Sequence, residues 1–544
     1  TRYPLVTGVQ TCALPILTRE APREAISRVV LSTTLTTNAI VENKIATTGM
    51  IVSSGPGIDP EVFRTHGYYY AVSGSINHRG REIQAIDSLE IEAVASRLRA
   101  ESIQQVGIVG KFSARNPKHE LQIKKILGED FDYVVMGHQL SGNLSFPRRI
   151  ATAYLHAAVY PMYKRFFSAV RESLEQRGLN VPIYVLKADG GTMGLETSLD
   201  SPGQTILSGP AASVMGSLPF APKDRETLVL DIGGTTTDMA VLVNGTPLLD
   251  PLGIEMGSYK TLIRALKTRS IGLGGDSAVR LTETGEIEVG PEREGPAMAF
   301  GGHVPTPTDA LVALGKITGG DAEASREGIR PIAKRLGLTV EEAASAIFDR
   351  ACRQILDAAA VMIADINSKP VYTVHELLEG YQVKPTEILI LGGPAPFFAF
   401  RLASLTDHQV HVVPRWHVAN AIGAALARST SEITVFADTE RGICAAPEED
   451  FHQPVDRDFD MDAAVELACR LLRKRLQREG APESDPEMEV VEQAQFNMVR
   501  DFYKTGRNIR VKVQVKPGLI PEFEAVARSI FNTCPLPDSF STQA

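Results

Sequence analysis

The apolar positions of this chain alternate between two patterns. Short apolar runs bounded by turn residues predict strands over 29–38, 50–54, 106–112, 132–136 and 183–187. The first of these ends in a hydroxyl-rich turn. Helical periodicity predicts a helix from Ala39, one over 86–100, and a long one over 149–176 adjusted at Pro161. Strand and helix in alternation predict an α/β layered fold. A second half restarts the pattern. It has a hairpin over 227–243, a short strand at 286–289, helices over 308–314 and 340–366, a strand over 387–391 and a small-residue helix over 419–427. The acid-rich stretch 448–462 reads as a linker. A helix over 463–478, another near 490–503 and a strand over 509–515 then form a small α+β appendage.

The hairpin carries the most chemistry. Its sequence over 228–238 is L-V-L-D-I-G-G-T-T-T-D. Gly233 and Gly234 lack a Cβ, so the backbone can approach an anion and aim its N–H groups at it. Thr235, Thr236 and Thr237 add hydroxyl donors. Asp231 and Asp238 are candidate Mg²⁺ ligands through water, since this hard cation prefers oxygen and keeps much of its hydration. A Walker loop would need a different spacing, with a lysine, on a strand–loop–helix. An ordinary glycine hairpin is the plain alternative.

Composition narrows the class. The 544 residues leave room for two or three domains, and 43% hydrophobic with 22% charged content is that of a globular protein. A net charge of −9 argues against a general nucleic-acid binder. No apolar run approaches the roughly 20 residues that span a bilayer, so no membrane partner is expected. Five scattered cysteines without C-x-x-C fit a reducing cytoplasm. The segment 1–16 lacks the layout of a signal peptide and reads as foreign or disordered sequence.

Further motifs follow in order: T-T-x-T-T-N-A-I-V-E at 33–42, N-P-x-H-E at 116–120, A-D-G-G-T-M at 188–193, L-S-G-P-A-A at 207–212, G-L-G-G-D-S at 272–277, P-T-P-T-D-A at 305–310, L-G-G-P-A-P at 391–396 and V-A-N-A-I-G-A at 418–424. With D-I-G-G-T-T-T-D at 231–238, this ordered set resembles the hydantoinase/oxoprolinase family, specifically its ATP-binding A-type subunit. The resemblance runs from about Val29 to about Leu426.

The resemblance implies a two-lobed actin-like ATPase (ribonuclease H-like) fold, N-terminally truncated, with the C-terminal α+β appendage. The implied partition is an N-terminal lobe at 17–220, an ATPase lobe at 221–430, and a linker with appendage at 431–544. It implies ATP and Mg²⁺, a small cyclic amide substrate and a B-type partner subunit. Gly233, Gly234, Thr235 and Thr236 would donate to the terminal phosphates. Asp231 would orient Mg²⁺ or its water, and Asp238 would either do the same or cap the turn. Gly392 and Gly393 would press the backbone against adenosine, walled by Pro394 and Phe397, or simply form a strand-to-helix turn.

Other candidates keep two readings. Ser208 and Gly209 start a helix, where Ser208 either caps it or helps present N–H groups to an anion. Asp189 ends a strand and is either a Mg²⁺ or substrate ligand or the acceptor of its own turn. Asp276 is either a general base near phosphate or a structural residue of its glycine loop. It stands where family members often have a small residue, so it departs from their pattern. Thr34, Thr37 and Asn38 either line a cleft or cap the next helix, with Asn38 as N-cap. Asn116, His119 and Glu120 read as a helix start, and His138, His303, His375, His408, His411 and His417 lack metal-ligand spacing. Arg148, Arg149, Lys267 and Arg269 read as solvated or helix-terminal charges.

Complete family members begin with a first I-D-x-G-G-T-x-x-D hairpin, and none precedes Val29. The expectation is weak ATP binding by the chain as it stands. The function expected is ATP-dependent hydrolysis of a hydantoin- or 5-oxoproline-type amide. The alternatives are the ATP-using subunit of a ketone carboxylase and a non-catalytic nucleotide-binding scaffold.

Overall fold

A computed structural model describes residues 26–368, 381–481, 487–500 and 502–520. His375, two of the five cysteines and the 1–16 segment lie outside these residues. Two compact units emerge. The first takes the chain up to Ser208 with Leu252–Ala265 and Arg428–Pro517, and the second takes Gly209–Pro251 and Leu266–Ala427.

In the first unit a four-stranded parallel sheet has the order Tyr69–Ala71, Gly49–Ser53, Gln105–Gly110, Tyr133–Met136. Gly49–Ser53 and Gln105–Gly110 are buried throughout, as strands covered on both faces must be. The 31-residue helix Phe146–Gln176 packs on Gln105–Gly110 and carries Pro161 inside it. Its stretch Ile150 to Tyr160 is buried on every side. A smaller sheet joins Val29–Leu31 parallel to Ile183–Leu186, which turns back into Thr192–Gly194.

The remaining part of this unit is a five-stranded antiparallel sheet, Phe451–Pro454, Ile443–Ala446, Glu432–Asp438, Tyr503–Val515, Met488–Arg500. The helix Met461–Arg478 covers one face, with Leu467, Leu471 and Leu472 against Val435 and Val511. Asp460 caps it by accepting from Ala463 N at 3.0 Å.

The second unit is built on a sheet ordered Thr246–Pro247, Thr237–Val243, Thr227–Ile232, Glu387–Leu391, Gln409–Val412, with Thr268–Ile271 also pairing on Thr237–Val243. The hairpin is antiparallel, whereas Thr227–Ile232 to Glu387–Leu391 and Glu387–Leu391 to Gln409–Val412 are parallel. Leu228, Leu230, Ile388 and Ile390 meet Ala344, Ile347 and Phe398 of the covering helices in one core. The α/β class expected from the sequence is the one observed.

Several expectations are corrected. The helix expected near 490–503 is a strand over its described part, because Met488–Arg500 pairs along its length with Tyr503–Val515. Helix-favouring Glu, Gln, Ala and Met there yield to a 13-residue strand partner. The 448–462 stretch is not a linker: it holds a 3₁₀ turn Pro447–Glu449 and the strand Phe451–Pro454. One of its acids is itself a buried ion-pair partner, Glu449 receiving Arg478 at 2.8 Å and Arg475 at 3.4 Å. The 29–38 strand stops at Leu31, and Thr34 rather than Asn38 occupies the N-cap of Leu35–Val41.

Arg149 is fully buried rather than solvated. It donates to Gly110 O at 2.9 Å, Lys111 O at 2.6 Å and Ser113 Oγ. Glu120, also buried, accepts from the amides of Gly110 and His138 and from His138 Nδ1 at 2.5 Å. His138 Nε2 meets Asp450 at 2.7 Å. Burial opposes a charge on His138, but Glu120 and Asp450 outweigh it and raise the imidazole to about 9.

Candidate functional site

The register of the second unit's hairpin sets Asp231 directly opposite Asp238 and Ile232 opposite Thr237. Opposed residues of an antiparallel pair share a face, so the two carboxyls lie side by side. Gly233 to Thr236 form the loop, closed by Gly233 N donating to Thr236 O at 2.9 Å. Thr235 and Thr236 are exposed, so the turn is open to solvent. The amides of Gly234 and Thr235 take no acceptor among the described residues.

Two further turns of the same unit close on this loop. Gly275 N donates to Gly233 O at 2.9 Å and Asp276 N to Gly234 O at 2.7 Å. A Cβ on Gly274 would come within 2.5 Å of the Gly233 carbonyl, so only glycine permits this approach. Gly392 sits at φ +97°, and a side chain there would overlap the Ile232 carbonyl and meet Asp231 Oδ1 at 2.6 Å. Pro394 begins the helix Ala395–Leu405 and lies 3.7 Å from where a Gly275 Cβ would stand. The loops 233–236, 272–277 and 392–394 thus form one cradle of main chain.

Its electrostatics are set by carboxyls gathered beside open main-chain donors. Burial pushes Asp231 above the ordinary carboxyl range, partly offset by the Ser213 hydroxyl bonded to its Oδ2. Burial pushes Asp238 up to about 6, against a bond from Ser270 and reinforced by the charge of Asp231. Neither acid pairs with a base among the described residues. Two adjacent carboxylates disfavour joint ionisation unless a cation joins them. Asp276 is also raised by burial, against the pull of Arg293.

The structure therefore brings Asp231, Asp238, Asp276, Gly233, Gly234, Thr235, Thr236, Gly392 and Gly393 into one unit. Asp189 and Ser208 belong to the other. Asp189 is 2% exposed, and its Oδ1 accepts from Gly191 N at 3.0 Å while Oδ2 accepts from Thr430 at 2.7 Å. Lys187 and Arg264 lie 3.5 and 3.2 Å from Oδ2. Burial alone would raise its carboxyl, but these two cations hold it below the ordinary range. The Ser208 hydroxyl donates to Thr33 O at 2.9 Å, and Gly209 follows it in the helix Ser208–Ser217. Thr37 accepts from Leu207 N at 2.9 Å.

Sequence reading missed two contributors. Ser213 lies within the run after Gly209 and reaches Asp231. Arg293 donates to Thr235 Oγ1 at 3.1 Å and Asp276 Oδ2 at 3.0 Å. The only hint of Arg293 was Asp276 itself, an acid in a glycine loop that needs a counter-charge.

The chain belongs to the hydantoinase/oxoprolinase family: the family's principal model matches residues 149–433 and the model of its N-terminal region matches residues 4–131. Among individual relatives, it is 24% identical over 426 residues to the caprolactamase alpha subunit of Pseudomonas jessenii, covering 70% of this chain and 59% of that protein. It is 26% identical over 346 residues to the acetophenone carboxylase gamma subunit of Aromatoleum aromaticum, covering 59% of this chain and 45% of that one. The chain thus spans about half the length of these relatives. Its fold is that of the ATP-dependent caprolactamase structure from Pseudomonas jessenii, with a TM-score of 0.66 and 19% identity over 93% of this chain and 82% of that chain.

Proposed function

We propose that this protein is the ATP-using subunit of a two-part enzyme that hydrolyses a cyclic amide. The observation that carries the reading is the cradle of three glycine turns beside a pair of unpaired carboxyls. Gly234, Thr235 and Thr236 donate to the terminal phosphates of ATP, whereas the expected donor Gly233 has its N–H committed to Thr236 O, and Gly392 and Gly393 let the backbone approach adenosine. Asp231 and Asp238 fit Mg²⁺ and would hold it there. Bound there, the ion neutralises phosphate charge. Asp276 is the candidate base.

The chemistry suits an unreactive amide. Transfer of the terminal phosphoryl group to the amide oxygen releases ADP and makes the carbonyl carbon electrophilic. Water adds to that carbon, the nitrogen takes a proton and leaves so that the ring opens to an amine and an acyl phosphate, and a second water splits the acyl phosphate into carboxylate and phosphate. Transfer of this kind needs mainly in-line positioning and charge neutralisation, which a rigid cradle supplies. Similarity to a caprolactamase subunit supports a cyclic amide, and similarity to a carboxylase subunit supports a second reading, activation of a ketone for carboxylation. Both relatives are named as subunits, which supports a B-type partner. No helix among the described residues is long and apolar enough to cross a membrane, and Cys352, Cys444 and Cys469 are free thiols, which fits a cytoplasmic enzyme.

The test is phosphate release by the protein with its partner subunit, across a panel of lactams, hydantoins and ketones, with and without bicarbonate. Release driven by a cyclic amide and indifferent to bicarbonate supports the hydrolase. Release that requires both ketone and bicarbonate supports the carboxylase. Nucleotide binding without stimulation by any substrate leaves the scaffold reading standing.

A further inference from the structure

Arg293 lies on the segment that follows the Ile287–Val289 strand, far in sequence from the phosphate turn. Its position is nonetheless fixed. Ala278 N donates to Glu292 O at 2.8 Å and Gly290 N to Ala278 O at 2.9 Å, tying this segment to the 272–277 loop. A Cβ on Gly272 would come within 2.8 Å of Pro291, so the two loops touch at main-chain distance. The flanking acids Glu292 and Glu294 are both drawn to Arg280. Arg293 is left to face the hairpin, where its Nη1 reaches Thr235 Oγ1 and its Nη2 reaches Asp276 Oδ2.

We infer that Arg293 is a positioning residue for the terminal phosphate of the nucleotide, and that Asp276 is the anion that holds it in place until the phosphate arrives. This inference rests on the nucleotide reading of the hairpin. Three observations support it. The guanidinium stands over the third residue of the loop whose amides are open, within reach of any anion bound there. A planar fork of donors matches a phosphate bidentately, and more strongly than a lone carboxylate oxygen. The Arg293 side chain is 43% exposed, and a pair this accessible contributes little to folding. The Asp276 carboxyl is half-buried, and its charge would repel phosphate unless a cation offset it. The pair is therefore neutral when the cradle is empty. Once phosphate arrives, the guanidinium exchanges one anionic oxygen for two or three.

The test titrates Mg·ATP, Mg·ADP and AMP, by competition with a fluorescent nucleotide, into the wild-type protein and three variants. Arg293→Ala should weaken ATP by tenfold or more, ADP by less, and AMP by no more than twofold. Arg293→Lys should recover part of the loss, since it keeps the charge without the fork. Asp276→Asn should tighten ATP, because the competing acid is gone. Equal losses for AMP and ATP in Arg293→Ala would mark a structural role and overturn the inference, as would an unchanged ATP affinity. Wild-type protein that binds none of the three nucleotides would instead overturn the nucleotide reading, and the role of Arg293 with it.

Discussion

The chain contains two glycine–glycine–threonine turns that follow an acid, D-I-G-G-T at 231–235 and D-G-G-T at 189–192, and they are built for opposite purposes. Asp189 is buried against Lys187 and Arg264, its oxygens are taken by Gly191 N and Thr430, and its carboxyl is held low. Its turn is also plugged, since a side chain on Gly191 would collide with Thr430. Asp231 has no cation beside it among the described residues, faces a second acid, and is held high, next to an exposed turn with open amides. A satisfied acid holds a fold together, whereas an unsatisfied one is a place for something to bind. The Gly-Gly-Thr they share gives no hint of which is which. Residues far away in sequence decide it.

Substitution should separate the two turns. Removing the carboxylate in Asp189→Ala leaves the buried Lys187 without its carboxylate and Arg264 with Glu432 alone, which should cost about 3 kcal/mol. Urea unfolding would measure this, and a loss under about 1 kcal/mol would contradict the account. Asp238→Asn should do the reverse. The folded carboxyl titrates at about 6, well above an unfolded aspartate, so the folded state holds the proton more tightly. Its ionisation therefore costs stability as pH rises from about 4 through 6, with no cost below that window. At about 1.4 kcal/mol per unit of pKa difference, the cost above pH 7 is on the order of 2–3 kcal/mol. Asp238→Asn should thus be the more stable protein at pH 7.5 and lose that advantage at pH 4. A wild type that gains stability between pH 4 and 6 relative to this variant would break the comparison.

Mg²⁺ should act only on the second unit's pair. Millimolar Mg²⁺ should raise the melting temperature of the wild type at pH 7.5 by a few degrees, and have no effect in Asp231→Asn/Asp238→Asn. Stabilisation that survives in the double variant would place the ion elsewhere. The smallest expected effect is at the rim. Thr235→Ala loses one hydroxyl donor and should weaken ATP binding by roughly tenfold, about one hydrogen bond to a charged group, without changing stability.

Much of the second unit was legible in advance. The hairpin, the Glu387–Leu391 strand and the Ala-rich helix Val340–Ser368 carry their periodicity locally. So does the site's glycine content, because close approach of backbone demands it. What escaped was long-range. Arg293 is 58 residues from Thr235, and nothing around it marks a partner. Arg149 reads as a helix-start cation until the carbonyls of Gly110 and Lys111 are seen to close on it. The Met488–Arg500 strand has a helical composition and is overruled by its neighbour. The acids of 448–449 read as solvated because their arginines lie beyond residue 474.

Hydrogen–deuterium exchange at both glycine turns, with and without millimolar Mg·ATP, tests the central claim most directly. Amides over 233–236 should slow markedly on nucleotide addition while those over 189–192 keep their rate. Protection confined to 189–192, or absent from both turns with nucleotide demonstrably bound, would contradict it.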